Sequence, residues 1–124
     1  MKFIKTLILS LAALLAPIKP MLIMAFVVCA VDLVTGVWAA RKRGEPITSA
    51  GLKRTILKAF VYELAIIMAF LVEQYLTLDM IPACKIVASF IGITELKSVL
   101  ENLNEINGGD LFKSLLDKLD SSSK

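Results

Sequence analysis

The groups in this 124-residue chain that could do chemistry are eleven carboxylates, two cysteines and fourteen Lys or Arg side chains; histidine is absent. Without histidine the commonest general base and the commonest metal ligand are both missing. Cys29 and Cys84 lie far apart, each among apolar neighbours. That setting predicts small buried hydrophobes, not a zinc site. The sequence has no Ser/His or Cys/His pair, no glycine-rich phosphate loop and no cofactor motif, and its carboxylates are spread over separate elements. It predicts a protein that is not an enzyme and needs no cofactor and no metal.

The informative carboxylates are those in apolar surroundings. Asp32 lies well inside a long apolar segment and shares a helix face with small residues: Ala25, Cys29, Asp32, Gly36 and Ala40 follow steps of four, three, four and four. Small residues on one face let helices approach closely in lipid, and a carboxylate there costs about 2.5–3.5 kcal/mol unless it faces protein or water. Two readings follow. The face is an oligomerisation or pore-lining surface, or it packs within one subunit with Asp32 bonded to Lys85 or Thr35. Glu63 lies about a turn beyond Lys58, which predicts a local ion pair. Glu73 is expected near the outer membrane interface, where a carboxylate needs no special explanation.

The elements that must position these residues are helices. Apolar types make up 57% of the chain, charged residues 20%, and the mean hydropathy is +0.77. So short a chain cannot hide that excess from water as a monomer. No charge-free run is long enough to make a span obvious: Thr6–Ile18 has 13 residues and Pro20–Val31 has 12. The proposed spans therefore each tolerate polar groups. The pattern predicts an all-α membrane protein with helices at about 3–18, 20–40, 52–78 and 80–94, giving three or four short spans. Residues 1–94 form the membrane domain and residues 95–124 carry cytoplasmic amphipathic helices.

The first segment starts like a secretory signal, but the apolar run resumes directly after Lys19-Pro20, which reads as the turn of a membrane hairpin. It either crosses steeply, with Lys2 and Lys5 snorkelling, or lies along the interface. Residues 1–58 hold nine basic and two acidic groups, net +7, concentrated at Arg41, Lys42, Arg43, Lys53, Arg54 and Lys58. A basic block alone would suit nucleic acid. Between two apolar stretches it reads as a cytoplasmic loop against anionic lipid, with no nucleic-acid partner. Beyond Thr94, Leu96, Val99, Leu100, Leu103 and Ile106 recur at helical spacing. Asn107-Gly108-Gly109 stops that helix, Asp110 caps a last short one, and Ser121–Lys124 is a frayed tail.

Two blocks carry a family resemblance. The first is Asp32-Leu33-Val34-Thr35-Gly36 with Ala39-Ala40, the basic stretch, Thr48-Ser49 and Lys58; the second is Glu95-Leu96-Lys97-Ser98-Val99-Leu100-Glu101-Asn102-Leu103. In order and spacing they resemble the toxin-secretion/phage-lysis holin family, over about residues 22–107. Asp32, Thr35, Gly36, Glu95, Ser98, Glu101 and Asn102 are the matching positions. The family usually follows its second block with Gly and then Pro; here Asn107-Gly108-Gly109 lacks the Pro. The resemblance implies a multi-pass protein of the bacterial cytoplasmic membrane that forms homo-oligomers and opens lesions. An endolysin or secreted toxin, its functional partner without necessary direct contact, then reaches the cell wall. The competing readings are a non-conducting membrane anchor that recruits a cytoplasmic partner, and a soluble helical oligomer.

Overall fold

The computed structural model describes residues 1–123. All of its regular elements are helical: α1 (Lys2–Leu15), a 3-10 turn (Ala16–Ile18), α2 (Lys19–Lys42), α3 (Ser49–Tyr75), α4 (Ala83–Asn107) and α5 (Lys113–Ser122). Two stretches, Lys2–Lys42 and Ser49–Tyr75, are long and apolar enough to cross a membrane.

Lys19-Pro20 does not turn the chain back as the sequence suggested. The 3-10 turn links α1 to α2, and the run from Lys2 to Lys42 reads as one 41-residue helical segment. Pro20 sits in the first turn of α2, where its missing N–H costs nothing. Pro17 likewise falls at the start of the 3-10 turn. The two prolines thus interrupt the helix without reversing it. At about 1.5 Å per residue, the 41 residues rise about 61 Å, roughly twice the hydrocarbon core.

Helices α2, α3 and α4 form a three-helix bundle, in which α2 packs most extensively on α4 and both pack on α3. The loop after α2 begins at Gly44, which takes a positive φ of 75° just past the helix end. Thr48 then caps α3, its Oγ1 accepting from the Gly51 N–H at 3.2 Å. That cap starts α3 at Ser49, three residues before the expected helix; of the basic residues assigned to the loop, Lys53, Arg54 and Lys58 lie in α3 and Arg41 and Lys42 in the last turn of α2.

At its far end α3 stops at Tyr75, short of the expected residue 78. Leu78 and Asp79 there adopt φ of 46° and 63°. Gln74 helps hold the turn by donating to Asp79 Oδ1 at 2.8 Å. Glu73 reaches across it: its Oε2 accepts from the Cys84 N–H at 2.9 Å, satisfying a free donor in the first turn of α4.

Helix α4 runs unbroken through residue 94, where the sequence suggested a boundary between membrane and cytoplasmic parts. Its two halves differ in composition, yet neither Gly nor Pro stands between Gly92 and Asn107 to end the helix. Gly108 ends it, in the left-handed conformation (φ 74°), with its N–H donating to Asn104 O. The last helix is not capped by the Asp110 side chain. Instead Asn104 Oδ1 accepts from the Phe112 N–H at 2.8 Å. Helix α5 folds back on α4, and Asp120 pairs with Lys97. Ser121 and Ser122 are helical, whereas Lys124 lies outside the described residues.

The bundle has two layers. Ile18 and Ala25, Ile66, Ala69 and Phe70 of α3, and Cys84 and Ile91 of α4 form an apolar core. Both cysteines are free and buried, as small hydrophobes would be. The other layer is polar.

Candidate functional site

The polar layer is built from three short helical stripes. Asp32 and Thr35 on α2, Lys58 and Tyr62 on α3, and Glu95, Ser98 and Asn102 on α4 recur at three- and four-residue steps, so each set lies on one side of its helix. The parallel register of α2 and α4, antiparallel to α3, brings the stripes to one level.

Lys58 stands at the centre. Its Nζ donates to Asp32 Oδ2 and to Glu95 Oε2, both at 2.8 Å. Tyr62 donates its hydroxyl to Glu95 Oε1 at 2.7 Å, and Ser98 Oγ donates to Asp32 Oδ1 at 2.6 Å. Asn102 Nδ2 donates to Thr35 Oγ1 at 3.1 Å and to Asp32 Oδ1 at 3.3 Å. Thr35 in turn donates to the Val31 carbonyl at 2.9 Å. All four carboxylate oxygens of Asp32 and Glu95 are therefore occupied.

Burial makes these bonds matter. Glu95 is 1% exposed and Thr35 8%. An isolated carboxylate in such a place would be prohibitively costly, so each needs a shared cation and further donors. Two carboxylates around one ammonium leave a formal charge of −1, spread over the donated hydrogen bonds. The arrangement has no free nucleophile and no general base in an open cleft. Its chemistry is attachment, holding α4 against α2 and α3 at one level.

Sequence reasoning placed these partners differently. Asp32 is paired with Lys58, and Lys85 makes no ion pair among the described residues. Thr35 does join Asp32, but by donating to its backbone carbonyl at 3.2 Å and through Asn102. The predicted Lys58–Glu63 pair does not form, because α3 turns Lys58 into the bundle. Tyr62 was missed altogether; its position one turn after Lys58 was the available signal. Of the seven family-block positions, Asp32, Thr35, Glu95, Ser98 and Asn102 bond together. Gly36 lies beside them, where an added Cβ would sit 3.6 Å from Asn102 Nδ2. Glu101 is exposed and takes no part.

The small-residue face is occupied within the chain. Ala25 and Cys29 are 1% and 2% exposed, and Asp32 and Gly36 meet α4 through Ser98 and Asn102. Of the two readings, the internal packing face describes this state of the molecule. The physical reason is the family block on α4, which supplies partners of matching size and polarity.

The network continues to the end of the bundle. Lys42 donates to the Ile106 carbonyl, and Arg43 pairs with both Glu105 and Glu45. Arg43 holds the Glu45 carboxyl below the usual carboxylate range. Arg41, Lys53 and Arg54 are exposed. Beside the network a cavity of about 610 Å³ opens between α2, the start of α3 and α4, lined by Gly36, Arg43, Thr48, Arg54, Ser98 and Asn102 among others.

Long apolar helices, large exposed apolar side chains and polar groups spent on helix attachment define an all-helical membrane protein. The chain belongs to the bacteriophage holin family, whose model matches residues 10–122. That match extends past both ends of the resemblance read from the two blocks. No curated protein and no solved structure matches the chain. Membership gives a role in phage lysis through membrane permeabilisation, and the family is not one of enzymes.

Proposed function

We propose that this chain is a holin whose resting state is the closed bundle, and that separation of α4 from α2 and α3 starts pore formation in the bacterial cytoplasmic membrane. The observation that carries this reading is the convergence of family-block residues from α2 and α4 on Lys58. Such a cluster holds while its charges are shared and becomes costly once they are parted in lipid.

Helices α2 and α3 cross the bilayer. From Lys19 to Arg41 α2 rises about 33 Å, matching the hydrocarbon core, with Trp38 at the headgroup level. Helix α4 lies parallel to α2 over the same height, from Cys84 in the apolar core to the Lys42–Ile106 contact. It is the third span, with Glu95, Ser98 and Asn102 turned into the bundle. The 41-residue run is too long for one crossing. The apolar stripe of α1 (Phe3, Ile4, Leu7, Ile8 and Leu11) suits the interface, with Lys2 and Lys5 among headgroups. The basic loop is cytoplasmic, by the excess of Arg and Lys.

Parting α4 from α2 uncovers Ala25, Cys29, Asp32, Gly36 and Ala40, a face on which copies can associate closely. The resulting homo-oligomer lets endolysin or a secreted toxin reach the wall. Co-expression with a muralytic enzyme tests this. Abrupt lysis is expected, with altered timing for Asp32→Leu. Intact membrane potential at high expression would overturn the reading, and unchanged timing would remove Asp32 from it. Vesicles loaded with dyes of graded size report the lesion directly.

A further inference from the structure

Glu63 is the carboxylate that the bundle leaves over. It lies near the middle of α3, half-buried, and makes no hydrogen bond or ion pair among the described residues. The other acids of α2, α3 and α4 are engaged, except Glu101, which lies exposed towards the end of α4. Asp32 and Glu95 share Lys58, and Glu73 caps α4. Lys58 would be the natural local partner, but both its ion pairs point away from Glu63.

Glu63 falls on a stripe with Ile56, Phe60 and Ile67, in steps of four, three and four. Ile56 and Phe60 are about 60% exposed, whereas Glu63 is half-buried and Ile67 packs at the edge of the apolar core, so the chain covers this side of α3 only in part. Lipid cannot supply what a carboxylate needs there, whereas water and cations can. The small-residue face of α2 is taken up by helix packing, against α4 in the closed bundle and between copies once α4 has parted, which leaves this α3 stripe as the side carrying a free polar group in mid-span.

We propose that in the assembled state Glu63 lines the water-filled path between copies of this chain and makes that path select monovalent cations over anions. Rings of carboxylates confer this selectivity by stabilising cations where the pore narrows. The inference rests on the pore-forming reading above. Arg41, Lys53 and Arg54 at the end of the bundle act in the opposite sense, so the sign of the selectivity decides which set faces the path.

The test uses the full-length chain in planar bilayers under a potassium chloride gradient. The reversal potential should lie on the cation side for the wild type. It should collapse towards zero for Glu63→Gln and move to the anion side for Glu63→Lys. A Glu63→Gln reversal potential equal to that of the wild type overturns the proposal, as does a non-selective or anion-selective wild type. Both outcomes leave pore formation standing. Absence of any wild-type conductance sinks pore formation and this proposal together. Should Glu63→Gln fail to insert, Glu63→Cys in a background with Cys29 and Cys84 replaced by Ala gives an independent answer. A water-soluble cationic thiol reagent should modify it once the assembly has formed, and no reaction would place the residue in lipid.

Discussion

Lys58 carries more of this molecule than any other side chain, because two buried carboxylates depend on its single ammonium group. Lys58→Met removes the cation and leaves both acids desolvated. The expected loss is about 3–5 kcal/mol, the usual cost of breaking a buried pair by deleting one partner. It should be read as a lowered unfolding midpoint in detergent, together with earlier lysis in co-expression. Tyr62→Phe takes one hydrogen bond from Glu95, which keeps Lys58, so a smaller loss of about 1.5–3 kcal/mol is expected. Equal effects of the two substitutions would mean that the ammonium group is not the centre of the cluster. That Asp32 and the Glu95 block matter was legible from their unusual places and from the family resemblance. Their common partner was not, because Lys58 reads in sequence as one more basic residue of a charged block.

At the level of the helix, each end is set by a small local device. Thr48 starts α3, Gly108 ends α4, and the long-range cap from Glu73 fixes the start of α4. Glu73→Ala should fray that start at a cost of about 1 kcal/mol, within the range of cap substitutions. Faster amide exchange confined to residues 83–86 would show it; unchanged exchange would mean that the turn, not the cap, holds the helix. The helices themselves were largely visible from apolar spacing. Their limits were misplaced wherever a cap or turn lay outside the periodic pattern, as at Ser49 and Tyr75. The supposed break at residue 94 came from a change in composition. A helix can pass from an apolar to an amphipathic half without bending when its inward stripe stays continuous, and Ala88, Ile91, Glu95, Ser98 and Asn102 keep that stripe.

Across the molecule, the exposed side chains describe the solvent. Phe26, Val34, Trp38, Phe60, Met68 and Phe90 are each about 60–70% exposed around the bundle. So broad an apolar surface is stable against lipid tails and aggregates in water. Asp32, Thr35, Lys58, Glu95, Ser98 and Asn102 turn inward instead, an arrangement suited to a bundle with a low-dielectric exterior. The purified chain should stay with vesicles or detergent and not disperse in plain buffer; dispersal would remove the membrane assignment. Helix α5 is attached at the outside through Lys97 and the Asn104 cap, and contributes nothing to the network. Deleting residues 108–124 should therefore leave lysis intact. Loss of a bound cytoplasmic partner with no change in permeability would favour a membrane anchor instead.

Composition and spacing alone determined that the chain is helical and that lipid suits its surface, and the resemblance carried by the Asp32 and Glu95 blocks added the holin family. These are properties of local patterns, and the helical repeat makes them readable along one segment at a time. The tertiary structure alone decided that Asp32 meets Lys58 and not Lys85, that Glu63 stays without a partner among the described residues, and that the small-residue face closes inside the chain. Those outcomes depend on which sides of three helices meet and at what relative height. That is settled by packing between residues far apart in sequence, which no periodicity within one helix records.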